Sequence, residues 1–142
     1  MYEYDISEDK WNDTNTPLSR ERYSHSCLLV GKEIIVIGGH GEDLNDDTRR
    51  TSEIFDIKEK RWRKGPDLPF DFTLGQFVKA RKSSEFVGYI IGGDDAGRGL
   101  VVHGLTKDLK NFVRSNIRIE RNKINQFVAE VLPESVVKNC VY

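Results

Sequence analysis

Three histidines (His25, His40, His103), two cysteines (Cys27, Cys140) and several acidic pairs are the residues of this 142-residue chain that could do chemistry. Nucleophilic catalysis requires Ser or Cys beside a base and an orienting acid, with donors placed for an oxyanion. Ser24-His25-Ser26-Cys27 brings those residue types together. In an extended strand, however, His25 and Cys27 share one face while Ser24 and Ser26 share the other. The tetrapeptide therefore reads as a packed strand, with Cys27 as a small buried hydrophobe. A metal needs several ligands at about 2 Å from one point. His40-Gly41-Glu42-Asp43, with Asp46 and Asp47 downstream, offers donors but no metal-ligand spacing, and no calcium loop of D-x-D-x-D-G type occurs. Gly92-Gly93-Asp94-Asp95-Ala96-Gly97-Arg98-Gly99 is glycine-rich yet lacks the spacing of a phosphate-binding loop, and reads as a diglycine followed by a turn. No catalytic residue, cofactor or metal ligand is assigned.

The elements that carry these residues repeat. Residues 1–11, MYEYDISEDKW, align with residues 52–62, SEIFDIKEKRW, which matches Asp5 with Asp56, Ile6 with Ile57, Glu8 with Glu59 and Trp11 with Trp62, and sets Tyr4 against Phe55. A second pairing joins the apolar runs that end at Gly38-Gly39 and at Gly92-Gly93. The two offsets are 51 and 54 residues. Ile34, Ile35, Val36 and Ile37 form an unbroken β-branched run, as expected of a strand buried on both faces. Gly38-Gly39 supplies backbone angles closed to other residues and lets a neighbouring segment come close. Lys58-Glu59-Lys60 is a polar hairpin tip before Trp62, and Gly65-Pro66-Asp67-Leu68-Pro69 is a turn cluster that hands the chain to the next sheet.

A repeat of about 50 residues with an apolar strand, a diglycine, an aromatic and a Trp seven positions later resembles the kelch motif, in which each repeat builds one four-stranded blade of a β-propeller. Arg22 and His25 stand where kelch blades commonly carry Arg and His, which makes His25 structural. The resemblance implies an all-β fold: a partial kelch-type propeller of four-stranded antiparallel blades, open or completed by another chain. Residues 1–18 are expected to supply the outer strands of an incomplete blade and 19–69 a complete repeat. Residues 70–119 follow as a divergent repeat with Phe112 in the place of Trp62, and 120–142 as the first strands of a further incomplete blade. Propellers close with about four to eight blades, so the expectation is part of a larger ring or, in a sharper form, a homodimer completing six blades.

Composition narrows the partners. With 22 basic against 23 acidic residues the net charge is −1, which offers no field to gather nucleic acid or anionic membrane. No apolar run approaches the roughly 20 residues that span a bilayer, and the first residues lack the basic and apolar regions of a secretory signal. Two distant cysteines make no disulfide framework and fit a reducing, cytoplasmic setting somewhat better, although Asn12-Asp13-Thr14 has the form of a glycosylation acceptor.

The resemblance implies a non-catalytic protein-binding scaffold, adaptor-like or cytoskeleton-associated, and not an enzyme. The alternative is part of a propeller enzyme such as a copper oxidase of galactose-oxidase type, none of whose ligands can be matched here. Partner contacts are expected in the loops between second and third strands of each blade: His40, Glu42, Asp46, Asp47, Arg49 and Arg50 in the first, and Asp94, Asp95 and Arg98 in the second. Arg22, His25, Gly38, Gly39, Phe55, Trp62, Gly92, Gly93, Tyr4 and Trp11 are expected to be structural.

Overall fold

The computed structural model of the chain describes residues 1–42, 47–92 and 100–119. Its strands are β1 (Tyr2–Asp5), β2 (Lys10–Asp13), β3 (Ser26–Val30), β4 (Glu33–Ile37), β5 (Ser52–Asp56), β6 (Arg61–Lys64), β7 (Gln76–Lys79), β8 (Phe86–Gly92), β9 (Leu100–Thr106) and β10 (Phe112–Ile119). One turn of 3-10 helix, Asp47–Arg50, precedes β5. Two compact units divide the chain after Thr73.

The first unit holds the two-stranded sheet β1-β2 and the four-stranded sheet β3-β4-β5-β6; the second holds β7-β8-β9-β10. Every pair is antiparallel and joins strands adjacent in sequence, so each four-stranded sheet is a simple meander. Such sheets are the blades that the resemblance implies. Residues 120–142, where the first strands of a further blade were expected, lie outside the described residues.

In the first unit the central strands carry the core. Ile35, Val36 and Ile37 of β4 are buried, as are Ser52, Glu53, Ile54 and Phe55 of β5, so both strands are covered on both faces. β3 instead alternates between half-buried and exposed positions, and Cys27 is exposed, against the expectation of a buried thiol. Extended backbone at Ser24 fails too. That residue turns at φ 55°, and the strand starts only at Ser26.

The diglycine does what its conformation allows. Gly38 and Gly39 adopt φ of 60° and 91°, and the chain folds back so closely that a Cβ on Gly38 would lie 2.1 Å from the Phe72 carbonyl oxygen. Gly39 N–H donates to that same oxygen at 2.9 Å, and Gly38 N–H donates to Thr51 O at 3.0 Å. The glycines thus seat the segment that leaves the sheet, whose Leu68 and Phe72 are buried. In the second unit Gly92 closes β8, while Gly93 lies outside the described residues.

Two hairpins share one construction. Asp5 Oδ1 accepts from the backbone N–H groups of Ser7 and Glu8, and Asp56 Oδ1 from those of Lys58 and Glu59. Each turn then uses a left-handed residue, Asp9 at φ 51° and Lys60 at φ 52°. The turns bring Tyr4 opposite Trp11 and Phe55 opposite Trp62, with ring centroids 5.1 and 4.9 Å apart. In the second unit Leu105 faces Phe112 across the same seven-residue interval, with Leu109 at φ 58°.

His103 lies buried on β9 opposite Arg114 of β10, and burial first and that positive charge second push its pKa below the ordinary 6.5. The unfolded chain takes up this proton near pH 6.5 while the folded one resists, so the contribution is complete above that pH and is lost as pH falls below it. Thermal unfolding followed between pH 7.5 and 5.5 is expected to show a falling midpoint, and His103→Gln a flatter profile. A second outcome concerns Gly38: Gly38→Ala is expected to cost about 2–4 kcal/mol in denaturant unfolding, because strain at positive φ adds to the clash with Phe72.

Candidate protein-interaction site

The site is built on the connection from β4 to β5. Its first residue, His40, forms a two-bond backbone bridge with Tyr23, N–H to carbonyl in both directions at 2.8 and 2.9 Å, and the two rings stack at 5.3 Å. Glu42 is exposed, and Asp46 lies outside the described residues. The following 3-10 turn is held from below. Thr51 N–H donates to Thr48 O, and buried Thr48 anchors the turn. The departing segment adds two more bonds, Leu68 N–H to Arg50 O at 2.8 Å and Phe72 N–H to Arg49 O at 2.9 Å. The backbone of Asp47–Arg50 is therefore fixed, while the charged side chains of Asp47, Arg49 and Arg50 point outward.

These charges meet partners that sequence reading did not single out. Arg50 Nε lies 2.5 Å and Arg49 Nε 3.5 Å from the Asp71 carboxylate, and Arg20 pairs with Asp47. The two arginines hold the Asp71 carboxyl below the usual carboxylate range, the hydrogen bond from Arg50 contributing most. All five side chains are well exposed, so these pairs are weak and exchangeable. In the other candidate loop, Asp94, Asp95 and Arg98 lie outside the described residues.

Beneath the loop sits an ion pair of a different kind. The Arg22 and Glu53 side chains are 1% and 7% exposed and meet at 2.7 Å. Arg22 Nη1 also donates to Gly38 O at 2.8 Å, and the second carboxylate oxygen of Glu53 accepts Ser19 N–H at 2.9 Å. One pair thus ties the incoming segment, the diglycine and β5 together. Arg22 and Gly38 stand in contact, whereas His25 is exposed, its Nδ1 3.2 Å from Arg22 O. Above the pair opens a cleft of about 360 Å³ lined by Ser19, Arg20, Asp47, Trp62, Arg63 and Lys64. Trp62 closes one side, and its indole N–H donates to Thr16 O at 3.0 Å. That bond points Trp62 toward the segment after β2.

Among the described residues no group of three His, Cys, Asp or Glu side chains could hold a metal. What the geometry defines is a blade-forming sheet with a rigid, charged rim, the construction of the β-propeller class. Comparison with known proteins adds a motif and several relatives. Residues 21–69 match the kelch motif. An F-box/kelch-repeat protein of Arabidopsis thaliana is 34% identical over 87 residues, 61% of this chain and 16% of the relative. Kelch repeat and BTB domain-containing protein 12 of Homo sapiens is 31% identical over 75 residues, 49% of this chain and 12% of the relative. The F-box/kelch-repeat protein SKIP4 of Arabidopsis thaliana is 39% identical over 56 residues, 39% of this chain and 15% of the relative. The chain thus carries a kelch motif at residues 21–69, and its alignments span less than a fifth of those relatives' length.

Removing one member of the buried pair leaves the other charge without its counterion. Glu53→Ala is expected to cost about 3–5 kcal/mol in denaturant unfolding. Asp71→Ala, which touches only exposed pairs, is expected to cost under about 1 kcal/mol by the same measurement.

Proposed function

We propose that the chain serves as a non-catalytic protein-interaction module of adaptor type, with the pinned 3-10 turn and the adjoining cleft as its recognition surface. The observation that carries this reading is the fixing of Asp47–Arg50 by backbone bonds from Leu68 and Phe72, with charged side chains left outside. Recognition gains when a binding group is ordered beforehand, because the entropy of ordering is not lost on association. Arg49 and Arg50 would accept partner carboxylates in exchange for Asp71, and Asp47 a partner cation in exchange for Arg20. Arginine's planar fork suits such exchange, since it binds carboxylates in bidentate fashion.

Support for an adaptor comes from the relatives. Their names join kelch repeats with F-box or BTB modules. The bound protein is expected to present both charge signs.

The test compares the chain with its Asp47→Lys/Arg50→Glu variant in affinity capture with quantitative mass spectrometry at about 50 and 300 mM salt. Circular dichroism and thermal midpoints should match, because both positions are exposed. Proteins held by the surface are expected to fall at least fivefold with the variant and with high salt. Recovery of the same proteins in equal amounts by both would refute the assignment.

A further inference from the structure

The order basic, basic, hydroxyl, hydroxyl occurs twice in the chain, as Arg49-Arg50-Thr51-Ser52 and as Arg81-Lys82-Ser83-Ser84. A hydroxyl that follows paired cations suits an enzyme whose substrate groove is acidic, because complementary charge gathers and orients the segment. Phosphoryl transfer from ATP to such a hydroxyl is the reaction that the pattern invites. In sequence the two tetrapeptides are equivalent, and what each hydroxyl is already doing in the fold separates them.

In the first tetrapeptide both hydroxyls are committed. Ser52 is fully buried, and its Oγ donates to Pro66 O at 2.6 Å. Thr51 Oγ1 donates to Thr48 O at 3.0 Å, and Thr51 O accepts Gly38 N–H at 3.0 Å. Arg22 Nη2 lies 3.4 Å from the same Oγ1. Presenting either residue to an enzyme would release the diglycine, open the 3-10 turn and expose β5. A segment held by that many bonds opens only with much of its unit.

The second tetrapeptide forms the tip between β7 and β8. Ala80 N–H donates to Val87 O at 3.0 Å below it, and Ser84 N–H to Arg81 O at 2.9 Å closes the turn. Ser84 is committed as well: its Oγ accepts Phe86 N–H at 3.0 Å and shares a hydrogen bond of 2.8 Å with Tyr89 Oη. Ser83 is exposed, as are Lys79, Arg81, Lys82 and Glu85. One backbone bond has to break for Ser83 to be presented, and none of the ladder that joins β7 to β8. Exposed tips of small and polar residues are where a folded chain is most readily reached by an enzyme.

We infer that Ser83 is a phosphorylation site for a serine/threonine kinase that selects basic residues ahead of its acceptor, and that Thr51, Ser52 and Ser84 are not. In the step, the bond from Ser83 Oγ to the γ-phosphorus of ATP forms as the β,γ-bridging P–O bond breaks. ADP leaves with that electron pair, and the hydroxyl proton passes to the catalytic aspartate of the kinase. The product carries about −1.5 to −2 charge at pH 7 beside Arg81 and Lys82, which cancels the excess of Lys79, Arg81 and Lys82 over Glu85 at the tip. Phosphorylation is thus a charge switch on a loop that leaves the sheet beneath it intact.

The experiment treats the full 142-residue chain, under native conditions, with magnesium, ATP and the catalytic domain of protein kinase C, and maps phosphate by tandem mass spectrometry. Peptides 47–56 and 78–88 serve as unfolded references, and both are expected to be phosphorylated. In the folded chain Ser83 is expected to carry at least about 50-fold more phosphate than Thr51 and Ser52 together, a margin set by the free energy of opening their segment. Ser83→Ala should remove the signal from the folded chain while its thermal midpoint stays unchanged. Phosphate on Thr51 or Ser52 at the rate seen in peptide 47–56 overturns the inference, as does phosphate on Ser84 in place of Ser83. So does a folded chain left without phosphate, whether or not peptide 78–88 takes it up.

Discussion

The carboxylate of Glu53 and the guanidinium of Arg22 meet with almost no water between or around them, and the first four-stranded sheet is arranged about that meeting. A charge removed from water costs several kcal/mol, and a partner restores this only when the geometry is good and the remaining donors and acceptors are used. Here most of them are used. The guanidinium reaches the carbonyl of Gly38, and the carboxylate takes the N–H of Ser19, so the pair joins the segment entering the sheet to the turn that ends β4. Satisfying Arg22 therefore fixes where the diglycine lies. The diglycine in turn receives the carbonyl of Phe72, which seats the segment leaving the sheet. Entry, turn and exit are set by one electrostatic constraint, and the 3-10 turn that carries Asp47, Arg49 and Arg50 is bounded by all three.

How much of this could be read from residues alone depends on the sequence distance over which each interaction acts. The diglycine, the aromatic-to-Trp interval and the aspartate-capped hairpins span fewer than a dozen residues, and their geometry follows from local conformational rules. Asp5 and Asp56 cap the two-residues-on N–H because their side chains have the right length, which is a property of the dipeptide and not of the fold. Asp71 belongs to the other kind. Its pairing with Arg49 and Arg50 spans over 20 residues and exists only because the exit segment is bound back onto the 3-10 turn. Arg20 with Asp47 and Trp62 with Thr16 are of the same nature, spanning 27 and 46 residues.

The misreading of Ser24 and Cys27 has a related cause. Alternation along residues 22–30 is real, but the pattern does not reveal that Tyr23 is held to His40 by two backbone bonds outside the regular ladder. That bridge sets the chain direction before the strand begins and turns the backbone at Ser24. A thiol on a strand of apolar neighbours is buried only if a second layer covers the strand. β3 is the edge of its sheet, and among the described residues its Cys27 and Leu29 face has no cover.

Edge position matters for function as much as for burial. A meander sheet has two edge strands, and blade architectures cover the faces of each sheet with the next one while turning the short loops outward. In the first unit the residues with fixed backbone and exposed, paired charge lie on such a loop, whereas Phe55 and Trp62 lie on a face: Trp62 against Thr16, Phe55 against Trp62. The buried pair consumes the strong electrostatics in positioning, and the exposed pairs, individually weak, are left exchangeable. One buried ion pair and several exposed ones are what this arrangement provides: the first sets the backbone, the others stand on its surface.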